Sequence, residues 1–173
     1  MSTDIKPAFR VGFGYDVHRW SENRDLILGG VRIPHTLGLL GHSDADVLTH
    51  AIMDALLGSV ALGDIGTHFP DTNDCYKGAR SISLLKQVIE LVKREGYAPW
   101  NVDTVVVSEE PKLSPHIPLI RQSLAECLNL PVDRVSVKAT TTEGLLHAGP
   151  DGGMASYAVV LVAQLEEKEN GKL

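Results

Sequence analysis

The chain has 173 residues, 43% of them apolar and 22% charged, with a formal net charge of −6. That is enough chain for one domain with a real core, and too acidic for nonspecific nucleic-acid binding. The cysteines, Cys75 and Cys127, point away from a disulfide framework or a cysteine-based zinc site and fit a reducing cytoplasm. No apolar run approaches the roughly 18 residues of a membrane span, and the N-terminus carries no signal-peptide pattern. The expected organisation is a single domain over residues 1–173, frayed at 1–7 and 166–173.

In chain order, Phe9 to Tyr15 alternates as a strand, and Asp16 and His18 share one side if it continues. Leu26-Ile27-Leu28-Gly29-Gly30-Val31-Arg32-Ile33 has the form of a hairpin. The polar stretch Gly41 to Asp46 then runs into a helix extending to about Leu62, with Val47, Leu48, Ala51, Ile52, Ala55 and Leu56 as its apolar stripe. Ser43 followed by Asp46 reads as a capping box. Asp46, His50 and Asp54 fall on one helix face. Gly63 to Asp74 is dense in turn formers and reads as a long irregular loop, of a kind that is either functional or mobile.

A second helix is expected from about Ala79 to Glu95, with Ile82, Leu85, Ile89 and Val92 as its stripe and Gly96 as its stop. Val102 to Ser108 reads as a strand, its three valines predicting burial on both faces. Ser114-Pro115 reads as the start of a third helix carrying Ile117, Ile120, Leu124 and Leu128. Val135 to Thr140 is a strand, Thr141 to Gly153 a glycine-rich loop, and Met154 to Leu165 a closing strand. Strands and about three helices without strict alternation give an α+β class.

Three groups carry candidate chemistry. Asp16, His18 and His50 make a two-histidine, one-carboxylate set that zinc accepts while keeping a fourth position open; the alternative is a histidine beside unrelated acids. His42 and Ser43 sit where a helix start favours an anion, although Ser43 as a simple cap explains it as well. Thr140-Thr141-Thr142-Glu143 puts hydroxyls and a carboxylate at a strand end, suited to phosphate and Mg²⁺ or simply to water. Asp64, between two glycines, and Lys112, in a loop, have turn chemistry and solvation as their plain readings.

Taken together, the motifs resemble a known family. Gly14-Tyr15-Asp16-Val17-His18, Gly29-Gly30-Val31, Gly41-His42-Ser43-Asp44-Ala45-Asp46-Val47, Asp54-Ala55-Leu56-Leu57-Gly58, Gly63-Asp64-Ile65-Gly66 with Phe69-Pro70-Asp71-Thr72, Asn101-Val102-Asp103, Pro111-Lys112 and Val137-Lys138-Ala139-Thr140-Thr141-Thr142-Glu143 occur in order over residues 10–165. The chain resembles the 2-C-methyl-D-erythritol 2,4-cyclodiphosphate synthases of the non-mevalonate isoprenoid pathway. The resemblance implies a mixed sheet with helices on one face, and a cytoplasmic homotrimer built around a barrel-like sheet core with sites between subunits. It implies cyclisation of 4-diphosphocytidyl-2-C-methyl-D-erythritol 2-phosphate with loss of CMP. By the same resemblance Asp16, His18 and His50 hold zinc, and Glu143 helps hold Mg²⁺ or Mn²⁺ at the diphosphate. His42 and Thr141 stabilise the transition state. Substrate contacts are implied for Asp16, Val17, His18, His42, Ser43, Asp64, Ile65, Gly66, Phe69, Pro70, Asp71, Thr72, Asn73, Pro111, Lys112, Thr140, Thr141, Thr142, Glu143 and His147.

Because the substrate phosphate is already anionic, the protein's task is to fold a polyanion on itself and neutralise charge at the transferring group. Asp46 and Asp54 are candidates to orient the His50 ring. The alternatives are a metal phosphohydrolase using water on the same site, and an inactive trimeric binding protein. One departure stands out. Where the family has an aromatic and then Gly-Arg-Gly-Glu-Gly, this chain has His147 and then Gly149-Pro150-Asp151-Gly152-Gly153. The absent Arg and Glu belong to a cavity near the trimer axis that holds isoprenoid diphosphates, so binding of geranyl diphosphate is expected to be weak or absent.

Overall fold

The computed structural model describes residues 8–144 and 152–166. His147, Gly149, Pro150 and Asp151, and the tails expected to fray, lie outside the described residues apart from Glu166. Seven strands are described: β1 (Phe9–Ser21), β2 (Leu26–Leu28), β3 (Val31–Ile33), β4 (Gly38–Leu39), β5 (Tyr97–Val107), β6 (Val135–Thr140) and β7 (Gly153–Gln164). The helices are α1 (Val47–Ser59), a single turn α2 (Ile65–His68), α3 (Ser81–Arg94) and α4 (Ile117–Leu128). Strands β4-β1-β7-β5-β6 form one mixed sheet, in which only β5 and β6 run parallel, and β2 and β3 form the hairpin beside it. The α+β class holds. Among the described residues, no helix is long and apolar enough to cross a membrane.

Helix α1 is the centre of the core. Its expected stripe is fully buried, and so are Met53, Leu57, Thr49 and His50. It lies against β1 and β7, with α3 packed outside it. Its contact with β1 depends on glycine. A Cβ at Gly12 would fall 1.7 Å from the Ala55 carbonyl oxygen, and one at Gly14 2.0 Å from that of Ala51. Helix backbone therefore rests directly on strand backbone there, which a side chain would prevent.

Among the described residues, no helix covers the opposite face of the sheet. Phe9, Val11, Phe13, Tyr15 and Val17 of β1 alternate outward, and Tyr157 and Val159 of β7 and Trp100 of β5 stand exposed beside them. Phe13 pairs with Val159 and Tyr15 with Tyr157 across the ladder. This one-sided cover also corrects the reading of Val105-Val106-Val107. Only Val106 is buried, and its neighbours point to the open face.

Several boundaries differ from the sequence reading. Helix α1 is capped by Asp46 and not by Ser43: the Asp46 carboxylate accepts from the Thr49 N–H at 3.0 Å and the Thr49 hydroxyl at 2.7 Å. It also accepts from the N–H groups of Gly29 (3.0 Å) and Gly30 (2.7 Å), tying the hairpin turn to the helix start. The helix stops at Ser59 because Ala61 takes a left-handed φ of 60°. Gly63 to Asp74 is not wholly irregular: Asp64 caps α2, and a 3-10 turn begins at Asp74. Helix α4 begins at Ile117 with Pro118 in its first turn, so Ser114-Pro115 lie before the helix.

Candidate metal centre and active-site cleft

The close approach at Gly14 places the start of α1 over the end of β1. Asp16 and His18, two residues apart on the strand, share the helix-facing side, and His50 comes down from the first turn of α1. Asp16 Oδ2 lies 2.9 Å from His50 Nδ1 and 3.0 Å from His18 Nε2, and those two nitrogens are 3.1 Å apart. The other carboxylate oxygen of Asp16 accepts from the Val17 N–H at 2.8 Å. Burial alone pushes the Asp16 carboxyl up, but hydrogen bonds to His18 and His50 and their charge outweigh it, leaving it below the usual carboxylate range. Burial pulls His50 down, yet the hydrogen bond and charge of Asp16 prevail and raise it.

The far side of the His50 ring is also occupied. Its Nε2 lies 2.8 Å from the Ser81 hydroxyl and 3.1 Å from the Ser43 hydroxyl. The Ser81 hydroxyl in turn donates to the Asp44 carboxylate, which also accepts from the Ser81 N–H at 3.0 Å. Backbone bonds from Asp44 N–H to Ala79 (3.0 Å) and from Gly78 N–H to His42 (2.9 Å) fasten the 41–46 loop to the segment leading into α3. Arg24 holds the same loop from the other side, donating to the carbonyls of Gly41 (2.8 Å) and Ser43. Asp46 and Asp54, expected to orient the ring, do not touch it. Asp46 is committed to the hairpin and Thr49, and Asp54 accepts from the Ile65 N–H at 2.8 Å to pin α2.

A cleft of about 540 Å³ opens beside Asp16, His18 and His50. Of the residues expected to meet substrate, it is lined by His42, Ser43, Ile65, Gly66, Phe69, Pro70, Asp71 and Thr72, together with Asp16, His18 and His50. Gly41, Met53, Tyr76 and Leu84 complete the wall and were not anticipated as substrate contacts. His42 Nε2 lies 3.3 Å from the Asn73 carbonyl oxygen, which sets that ring at the rim. Asp64 is not among the lining residues; its carboxylate caps α2, accepting from the N–H (2.8 Å) and hydroxyl (2.9 Å) of Thr67. Val17 projects to the open face of the sheet, as strand alternation requires.

The remaining expected residues are not gathered here by one chain. Asp16 pairs with Ser156, Ser156 with Val106, and Val106 with Ala139. Thr140 therefore begins its loop three strand spacings from Asp16, about 14 Å across the sheet. Thr141, Thr142 and Glu143 sit at the same end of the sheet, exposed or half-exposed, with the Thr141 hydroxyl donating to Glu143 at 3.0 Å. Pro111 and Lys112 follow β5 on that side and do not line the cleft.

Among the described residues, Asp16, His18 and His50 form the one group of three side chains that could hold a metal ion. The donor set fits. Tetrahedral zinc with bonds of about 2.0–2.1 Å needs donors roughly 3.3 Å apart, and the three donor atoms form a triangle with edges of 2.9, 3.0 and 3.1 Å. The triangle faces the cleft, so three protein ligands leave a side open to a substrate oxygen.

Comparison with known proteins agrees with this geometry. The family model described as YgbB family matches residues 9–163. The chain is 60% identical over 159 residues to a 2-C-methyl-D-erythritol 2,4-cyclodiphosphate synthase of Geobacter sulfurreducens, covering 92% of this chain and 99% of that protein. It is 56% identical over 155 residues to the synthase of Clostridium perfringens strain 13, covering 90% and 99%. Among solved structures, it is similar to the bifunctional IspDF of Campylobacter jejuni, with a TM-score of 0.87 and 42% identity; the match covers 91% of this chain and 43% of that one. It is also similar to a 2C-methyl-D-erythritol-2,4-cyclodiphosphate synthase in its CDP-bound form, with a TM-score of 0.81 and 40% identity over 88% and 99% of the two chains.

Proposed function

The chain belongs to the YgbB family, and from that membership and the metal-ligating triangle we infer that it closes 4-diphosphocytidyl-2-C-methyl-D-erythritol 2-phosphate into 2-C-methyl-D-erythritol 2,4-cyclodiphosphate with release of CMP. It is a phosphorus–oxygen lyase of isoprenoid biosynthesis. The observation that carries this reading is the Asp16–His18–His50 triangle facing a cleft of substrate size, in a chain 60% identical to a named synthase.

In the reaction, an oxygen of the 2-phosphate attacks the β-phosphorus, and the bond from that phosphorus to the bridging oxygen of CMP breaks. The nucleophile is anionic at neutral pH, so no strong general base is needed, and positioning and charge neutralisation supply the rate. Asp16, His18 and His50 would hold zinc or another divalent ion, which would supply positive charge beside the diphosphate, and Glu143 would help hold Mg²⁺ or Mn²⁺ to the same end. Ser43, on the cleft wall beside His50, offers its hydroxyl to a phosphate oxygen. His42 stands at the rim near the transferring group, with Thr141 as its counterpart. Ile65, Gly66 and Phe69 to Thr72 shape the erythritol side.

Thr140 to Glu143 reach such a site only from a second copy of the chain, so the working unit is a homotrimer with sites between subunits. The support for it is the unpartnered apolar face of β1 and β7, which a central sheet-to-sheet contact would cover. The cytidine is then held by the neighbour's Pro111, Lys112 and Thr140 to Thr142. A cytoplasmic location fits the free thiols of Cys75 and Cys127.

Phosphorus NMR of the purified protein with the cytidyl substrate and Mg²⁺ tests the reading. A cyclic diphosphate and CMP are expected from the wild type and not from His50→Ala. A linear phosphate product would instead indicate hydrolysis by water on the same metal site.

A further inference from the structure

We propose that Ser81 and Asp44 are positioning residues for the metal centre: together they set which nitrogen of His50 is free to bind the ion. Ser81 is completely buried, at the first position of α3, and its hydroxyl has one proton to give. The Asp44 carboxylate is an acceptor, and it accepts the hydrogen bond from that hydroxyl. The Ser81 oxygen is then left to accept, and of its two remaining neighbours His50 Nε2 at 2.8 Å is much closer than the Ser43 hydroxyl at 3.4 Å. In the neutral ring this places the proton on Nε2 and the lone pair on Nδ1. Nδ1 is the atom that faces Asp16 Oδ2 at 2.9 Å and His18 Nε2 at 3.1 Å. The chain Asp44–Ser81–His50 thus aims the ring and selects its tautomer, the role usually played by a carboxylate or carbonyl behind a ligating histidine.

Ser43 does not replace Ser81 in this arrangement. Its oxygen accepts from the Ala45 N–H at 3.2 Å and lies 3.1 Å from His50 Nε2, but it has no carboxylate to fix its own proton. With the Nε2 proton directed to Ser81, the Ser43 hydroxyl has only the long 3.4 Å contact to Ser81 to compete with a phosphate oxygen in the cleft. Two neighbouring serines therefore divide the work, one behind the metal ligand and one toward the phosphate. The link also runs through the fold: the segment that opens α3 is fastened to the 41–46 loop by Asp44, so the register of α3 fixes the back of the metal site.

This proposal rests on the metal reading of the triangle, and its test separates the two. Zinc affinity is measured by chelator competition in wild type, Ser81→Ala and Ser81→Thr, with thermal unfolding of each. Nitrogen–proton NMR of the histidine rings is recorded in the zinc-loaded proteins. The wild type should bind zinc with a protected proton on His50 Nε2. Ser81→Ala should fold, bind zinc about 10- to 100-fold more weakly, and lose protection of that proton, while Ser81→Thr restores both. Wild-type affinity and protection in Ser81→Ala would overturn the proposal. So would a wild type whose His50 carries its proton on Nδ1 and binds zinc through Nε2, a result independent of any variant. A wild type that binds no zinc at all removes the metal reading and this proposal with it.

Discussion

Gly14 of β1 faces the carbonyl of Ala51 in α1 so closely that a Cβ would lie 2.0 Å from that oxygen, and Ala51 follows the ligating His50 directly. Two strand residues beyond Gly14 comes Asp16. The spacing of the metal triangle is therefore set by a backbone contact that only glycine permits. Gly14→Ala must push α1 off the strand. Overpacking of this kind costs about 1–3 kcal/mol or more, which for a chain of this size lowers Tm by roughly 2–4 °C per kcal/mol. Differential scanning calorimetry reads the loss, and zinc affinity should fall with it.

The titration of the triangle gives a pH signature for the metal-stripped protein. The raised His50 contributes stability that is fully present below its unfolded value, about 6.5, and is lost as pH rises through the folded one. The lowered Asp16 contributes stability present above its unfolded value, about 3.9, and lost as pH falls through the folded one. Both contributions are complete between roughly pH 4 and 6.5. Tm measured against pH should show a wild-type excess over Asp16→Asn in that window, shrinking on either side. Zinc affinity should move the other way and weaken as pH drops from 8 to 6, because the ion must displace the His50 proton.

Arg24 is the clamp on the loop that carries His42, Ser43 and Asp44. Its guanidinium donates to the Gly41 and Ser43 carbonyls, and bonds to a charged group are worth about 1.5–3 kcal/mol each. Arg24→Ala should raise KM and lower kcat together, since it frees the loop that carries His42 and Ser43 and, through Asp44, the support of His50. Steady-state kinetics with the cytidyl substrate checks this.

The separation of Thr141 and Glu143 from the cleft predicts complementation. On the proposed assembly, His50→Ala and Glu143→Ala chains should each be inactive alone. Mixed after unfolding and refolding, they should recover part of the wild-type rate, because some interfaces pair an intact cleft with an intact Glu143. Phe13→Asp, on the exposed face of β1, should abolish assembly in light scattering and activity with it.

Spacing made the triangle a candidate, with Asp16 and His18 at strand period and His50 at the head of a strongly apolar helix, but that His50 meets the other two, 32 and 34 residues away, was implied only by the family resemblance. The strand at Val135 to Thr140 and the hairpin at Gly29-Gly30 could be read for the same reason, since period and turn chemistry are local. What could not be read was which polar side chain serves which partner. Asp46 lies one turn from His50 yet turns to the amides of Gly29 and Gly30, a contact 17 and 16 residues distant. Ser81, 31 residues from His50, touches it. The only sequence hint was a serine opening an apolar-periodic helix, and that hint points to a cap. The open face of the sheet was hidden by Val105-Val106-Val107, whose composition does not reveal that one side stays exposed. The loop that departs most from the family, His147 to Asp151, lies outside the described residues.

The most direct test of the central claim is the rate of cyclic diphosphate formation by protein stripped of metal, followed by phosphorus NMR in constant Mg²⁺, before and after zinc is added. The account predicts loss of the product on stripping and its return at one zinc per chain. Undiminished cyclisation by protein shown to be free of zinc and other transition metals would contradict it.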